Sequence, residues 1–148
     1  MFHLTVENNR FRHMKVFLVV CIALISTLFI NNIQDDTLKE SIKRGNEIYS
    51  DFCMSCHLPS GKGIANVFPP LENSDFLMEK RVASIRSIKF GLNKEITVNG
   101  KKYNGFMATL GLSDQEIADV MNYITNSWGN KNGEIITIEE VSNIKKIN

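Results

Sequence analysis

Cys53-Met54-Ser55-Cys56-His57 is the stretch that decides how this 148-residue chain is read. Two thiols three positions apart at the end of a helix can reach two neighbouring points on one flat ligand, and an imidazole directly after them lies beneath its centre. The C-x-x-C-H spacing is the pattern of covalent c-type haem attachment. Each thiol adds to one porphyrin vinyl group as a thioether, and His57 offers a neutral imidazole to the iron. Other uses of paired cysteines compete. A disulfide oxidoreductase carries its C-x-x-C after a strand in a βαβ setting, whereas the residues before Cys53 have helical spacing. A structural zinc needs four ligands, and His3 and His13 lie ahead of an apolar segment that separates them from the motif. A plain disulfide leaves His57 and the irregular chain after it without a role.

Working outward, Thr37-Leu38-Lys39-Glu40 reads as a capping box, and Leu38, Ile42, Tyr49 and Phe52 recur at helical spacing, which predicts a first helix to about Cys53. Gly45 interrupts its apolar face, either because another backbone or ring must approach closely there or because the helix merely tolerates it. From His57 to Ser74 the chain holds Pro59, Gly61, Gly63, Pro69 and Pro70, which forbid a long regular element, so it has to wrap around something. Ser74 offers an N-cap for one or two short helices ending at Gly91. Asn99-Gly100, between Ile96-Thr97-Val98 and Lys101-Lys102-Tyr103, signals a two-residue hairpin leading to Met107. Ser113 to Glu116 forms a second capping box, opening a helix with Ile117, Val120, Met121, Ile124 and Trp128 on one face and Gly129 as its stop. A third, Thr137 to Glu140, predicts a short final helix with Val141 and Ile144.

Porphyrin iron has two axial positions, and the residues beyond the apolar segment contain no histidine but His57. Methionine, lysine, water or an open site remain for the second. Met54 is inside the motif, Met78 lies among hydrophobic residues of a predicted helix, and Met121 falls on an apolar stripe; all three read as core packing. Met107 differs, because Tyr103-Asn104-Gly105-Phe106-Met107 is a loop that can hold a thioether toward a buried metal. Gap filling is the competing role for it. Ligation by His57 and Met107 leaves no site for a substrate and suits electron carriage. An open site with Met107 merely packing would instead suit a haem enzyme or gas sensor.

Residues 16–30 form an apolar run broken only by Ser26 and Thr27, preceded by Arg10, Arg12 and Lys15. This predicts an export segment, residues 1–33, acting as signal peptide or membrane anchor; no A-x-A-like site follows it, which favours the anchor. A run of 15 residues falls short of the roughly 20 that span a bilayer comfortably. Cys21 sits inside the run, preceded by Val19 and Val20, and reads as a small hydrophobe in an apolar helix. The positive flank places the rest outside the cytoplasm, on the periplasmic side of the inner membrane or in the periplasm. Beyond residue 33 there are 14 basic and 15 acidic residues. A remainder of −1 carries no basic footprint, so no nucleic acid is expected as a partner. Residues 34–130 then form one all-α domain with a minor β-hairpin, and 131–148 a C-terminal extension with a short helix.

From Leu38 to Trp128 the sequence resembles the class I c-type cytochromes. The elements appear in the family's order: Gly45 and Tyr49 in the first helix, the haem motif, Gly61 and Gly63, then Pro69, Pro70 and Leu71, the Met107 loop, and a last helix with Tyr123. The resemblance implies one covalent haem c on Cys53 and Cys56 with His57 and Met107 as axial ligands. It also implies that Gly45 meets Tyr123 where the first and last helices cross, and that the carbonyl of Pro70 or Pro69 orients His57. The hairpin and Ser127-Trp128-Gly129-Asn130 are more similar to small bacterial cytochromes coupled to quinoprotein dehydrogenases, nitrite reductases or terminal oxidases. Such proteins imply an oxidase, dehydrogenase or reductase as redox partner. Ala108 departs from the proline that often follows the methionine, which implies a less rigid loop.

Overall fold

The computed structural model describes residues 13–21 and 37–147 of the chain. It divides into two compact units, Met1–Thr37 and Leu38–Asn148. In the first, residues 13–21 are helical, and Val16 to Val20 are each about half or more exposed. The remainder of the apolar run, 22–30, lies outside the described residues. Among the described residues no helix is long and apolar enough to cross a membrane.

The second unit starts with helix α1, helical over 37–52. Thr37 is already helical, so the helix does not begin on the expected cap. Its buried stripe is Ser41, Gly45 and Tyr49. Phe52, expected on that face, is 46% exposed. Small side chains at i and i+4 let a second helix approach closely, and that partner is α5 (Asp114–Ile124). A β-carbon on Gly45 would collide with the Asp119 carbonyl and lie 2.7 Å from Tyr123 Cβ. The expected crossing at Gly45 and Tyr123 is therefore present.

Polar groups hold this crossing together. Asp119 is 2% exposed; it accepts from Ser41 Oγ at 2.5 Å and from Arg44 Nε and Nη2 at 2.7 and 2.8 Å. Tyr49, Tyr123 and Trp128 form an aromatic cluster with ring centroids 5.1 to 5.5 Å apart. Helix α5 is the centre of the fold: Ile117, Ala118, Val120, Met121 and Ile124 are all buried, as expected of a helix covered on several sides.

Between α1 and α5 come α2 (Met54–His57), α3 (Asp75–Glu79), α4 (Arg81–Phe90) and the strands β1 (Ile96–Val98) and β2 (Lys101–Tyr103). Ser74 caps α3 through Leu77 N–H at 3.2 Å, and α4 ends on Gly91. The strands pair antiparallel with Val98 opposite Lys101, and Asn99 and Gly100 both take positive φ in the turn. The capping box at Ser113 and Glu116 closes α5 as expected. Helix α5 stops at Ile124, four residues before the expected Trp128. Thr125 Oγ1 takes the Met121 carbonyl at 2.7 Å, and the chain turns away through Trp128 and Gly129, both at positive φ.

The C-terminal segment joins the same core, with Ile136, Val141 and Ile144 buried. The Asn122 side chain completes both main-chain groups of Ile136, accepting from its N–H at 2.7 Å and donating to its carbonyl at 2.9 Å. Helix α6 (Ile138–Asn143) is capped by Thr137 through Glu140 N–H at 3.1 Å. The Glu140 carboxylate binds Arg81 at 2.6 Å through both oxygens, so it serves the packing of α6 on α4 where a return bond to the cap was expected.

Candidate functional site

Helix α2 is a single turn that carries Cys53, at its N-cap, through His57. Cys53 N–H continues the α1 ladder by donating to Tyr49 carbonyl at 2.9 Å, so the motif hangs from the buried end of α1. His57 Nδ1 lies 3.0 Å from Pro69 carbonyl. A carbonyl only accepts, so Nδ1 bears the proton and Nε2 keeps its lone pair. Burial lowers the His57 pKa, with the Pro69 bond opposing; the balance favours the neutral imidazole that can ligate a metal.

The loop after His57 is clasped at successive carbonyls. Gly63 N–H donates to His57 at 3.0 Å, Tyr49 hydroxyl to Leu58 at 2.6 Å, and Trp128 Nε1 to Pro59 at 3.0 Å. Leu58 has φ 65° and ψ 158°, a region almost reserved for glycine, which costs about 1–3 kcal/mol. Gly61 lies under the Trp128 indole, where a β-carbon would come 2.5 Å from Cε3. At Gly63 a β-carbon would run into the carbonyls of Phe68 and Pro69, so the glycine lets the chain fold back and present Pro69 to His57.

His57, Cys53 and Met107 each line both lobes of an apolar cleft. Its inner lobe is walled by Tyr49, Leu77, Ile88, Val98, Val120 and Met121; its outer lobe, about 370 Å³, opens past Cys56, Val67, Phe106 and Leu110. That volume is in the range of small-molecule sites. Pro69, Leu92 and Ile96 belong to both lobes with the three motif and loop residues. Met78 packs against the core, and Met121, fully buried, is also inner-lobe wall, a contact its apolar stripe did not reveal.

Cys53 and Cys56 are not joined in a disulfide, and burial, with a smaller contribution from Cys56, pushes the Cys53 thiol up to about 11. Among the described residues no group of three or more His, Cys, Asp or Glu side chains gathers to hold a metal ion. Two thiols, an imidazole with one ring nitrogen to spare, a thioether on the same cleft and apolar walls are the donor set and enclosure that a covalent haem requires.

Comparison with known proteins agrees with that chemistry. Residues 42–128 match the family model for cytochrome c. The chain is 37% identical over 110 residues to cytochrome c-552 of Thermus thermophilus, a match covering 68% of this chain and 83% of that protein. It is 26% identical over 110 residues to the cytochrome c subunit of the quinone alcohol dehydrogenase of Gluconobacter oxydans, covering 22% of that longer protein. The cytochrome c subunit of the gluconate 2-dehydrogenase of Pantoea cypripedii is 27% identical over 122 residues, covering 76% of this chain and 28% of the subunit. Members of the family bind haem c covalently and transfer electrons. By the match over residues 42–128 and the likeness to cytochrome c-552, this chain belongs to the cytochrome c family.

Proposed function

We propose that the chain is a mono-haem carrier of single electrons, with haem c joined to Cys53 and Cys56 and ligated by His57 and Met107. The observation that carries this reading is the placement of His57, with Nδ1 committed to Pro69, and of Met107 on one apolar cleft. Haem c would supply a one-electron iron couple, and a thioether together with an imidazole as donors would favour its reduced state. The chain contributes the rest. Pro69 fixes the tautomer and direction of His57, Met107 would serve as the second donor to the iron and leave no position for a substrate, and the inner lobe excludes water. The outer lobe, beside Cys56 and Phe106, is the face for electron exchange. A dehydrogenase, reductase or oxidase outside the cytoplasm serves as redox partner, with residues 1–33 directing export or anchoring the protein to the membrane.

The test is absorption spectroscopy on protein matured in a host that attaches haem c. Covalent haem surviving denaturation is expected, lost in Cys53→Ser/Cys56→Ser, with six-coordinate low-spin iron that ignores carbon monoxide. Ready carbon monoxide binding by the unaltered protein would overturn the carrier in favour of a haem enzyme or gas sensor. A mass equal to the bare polypeptide would remove both.

A further inference from the structure

We propose that Gly91 and Leu92, at the end of α4, are positioning residues that seat Met107 for the haem iron; the inference rests on the ligation proposed above. Leu92 and Met107 exchange both main-chain hydrogen bonds as an isolated antiparallel bridge, each N–H to the other's carbonyl at 2.8 Å. A residue held through its N–H and its carbonyl together starts its side chain from a defined point. Both residues line both lobes of the cleft, so that point lies on the wall facing the haem space. The neighbouring Phe106, by contrast, is 74% exposed.

Gly91 makes the approach possible. It has φ +77°, and a β-carbon there would lie 2.7 Å from Met107 carbonyl oxygen and 3.2 Å from Thr109 N and Oγ1. The nearest atom is main chain, so relief requires the Met107 loop or the end of α4 to move. The end of α4 is tied down. Lys89 Nζ is 2.8 Å from the Asp114 carboxylate and 2.8 Å from Val141 carbonyl, joining the last turn of α4 to the start of α5 and to α6. The displacement therefore falls on Met107 and carries its thioether with it.

The experiment compares Gly91→Ala with Gly100→Ala in the haem-loaded protein. Gly100 has φ +73° but open space where a β-carbon would go, so a substitution there meets positive-φ strain without the push. In Gly91→Ala the haem stays attached, the methionine-to-iron charge-transfer band of the ferric protein falls by more than half, and imidazole binds about tenfold tighter, because affinity follows the fraction of protein with the site open. Gly100→Ala keeps the band and the imidazole affinity of the unaltered protein. The proposal is overturned if Gly91→Ala keeps both, or if Gly100→Ala loses them equally. Absence of the band from the unaltered protein would instead remove Met107 as ligand. Should Gly91→Ala fail to fold, amide exchange in the unaltered holoprotein decides. The Leu92 and Met107 amides are expected to open together at one slow rate, and a Met107 amide as fast as that of Phe106 overturns the seat.

Discussion

The Asp119 carbonyl occupies the place where a side chain on Gly45 would begin. Two helices far apart in sequence thus meet backbone to backbone, and the approach brings Tyr49 of α1 against Tyr123. Gly45→Ala forces α1 and α5 apart. Overpacking of this kind costs about 3 kcal/mol, and the melting temperature of the holoprotein should fall by more than about 10 °C. A shift under a few degrees would show that the helices separate freely.

Asp119 is the acceptor for Ser41 and Arg44 in the same crossing. In Asp119→Ala the buried Ser41 hydroxyl loses that acceptor while the half-exposed Arg44 returns to water, so most of the loss comes from Ser41 and the vacated space. About 2 kcal/mol of stability should disappear. Arg44→Met should cost less, and equilibrium denaturation of the two variants checks the order.

Asn122 ties residue 136 to the core through both of its amide atoms. Asn122→Ala leaves the Ile136 N–H and carbonyl without those partners, at about 2–3 kcal/mol. The C-terminal segment should then become the first site cut in limited proteolysis. Cleavage elsewhere first would place the weak point away from α6.

Glu116 supplies a pH dependence whose direction is fixed. Hydrogen bonds from Ser113 Oγ and N–H hold its carboxyl below the ordinary value near 4.5. The unfolded chain takes up the proton first as pH falls, so the capping contribution is present above about pH 4.5 and is lost as pH drops through the lowered folded value. In Glu116→Gln the denaturation midpoint should vary less between about pH 5 and 3. An unchanged acid slope would show that the pairing does not persist in solution.

Much of this was readable because the signals are local. Ser74, the Asn99-Gly100 turn, and Ser113 with Glu116 act within a few residues of themselves, and each does what its residue type dictates. The motif cysteines, His57 and Met107 were singled out by chemistry and spacing, and they meet at one cleft. What escaped reading depends on partners distant in sequence. The α1 stripe of Ser41, Gly45 and Tyr49 makes sense only against α5, which is why Phe52 was placed on the wrong face. Buried Asp119 and Asn122 look like surface residues until Ser41, Arg44 and Ile136 are beside them. Glu140 fits a local cap yet is drawn to Arg81, 59 positions away.

Leu58 holds an unfavourable backbone shape immediately after His57, and Tyr49 grips its carbonyl while stacking with Tyr123 and Trp128. The docking of α1 on α5, which brings the three rings together, therefore reaches the imidazole through one hydroxyl: Tyr49→Phe should loosen the turn behind His57, at about 1 kcal/mol, read as faster amide exchange there.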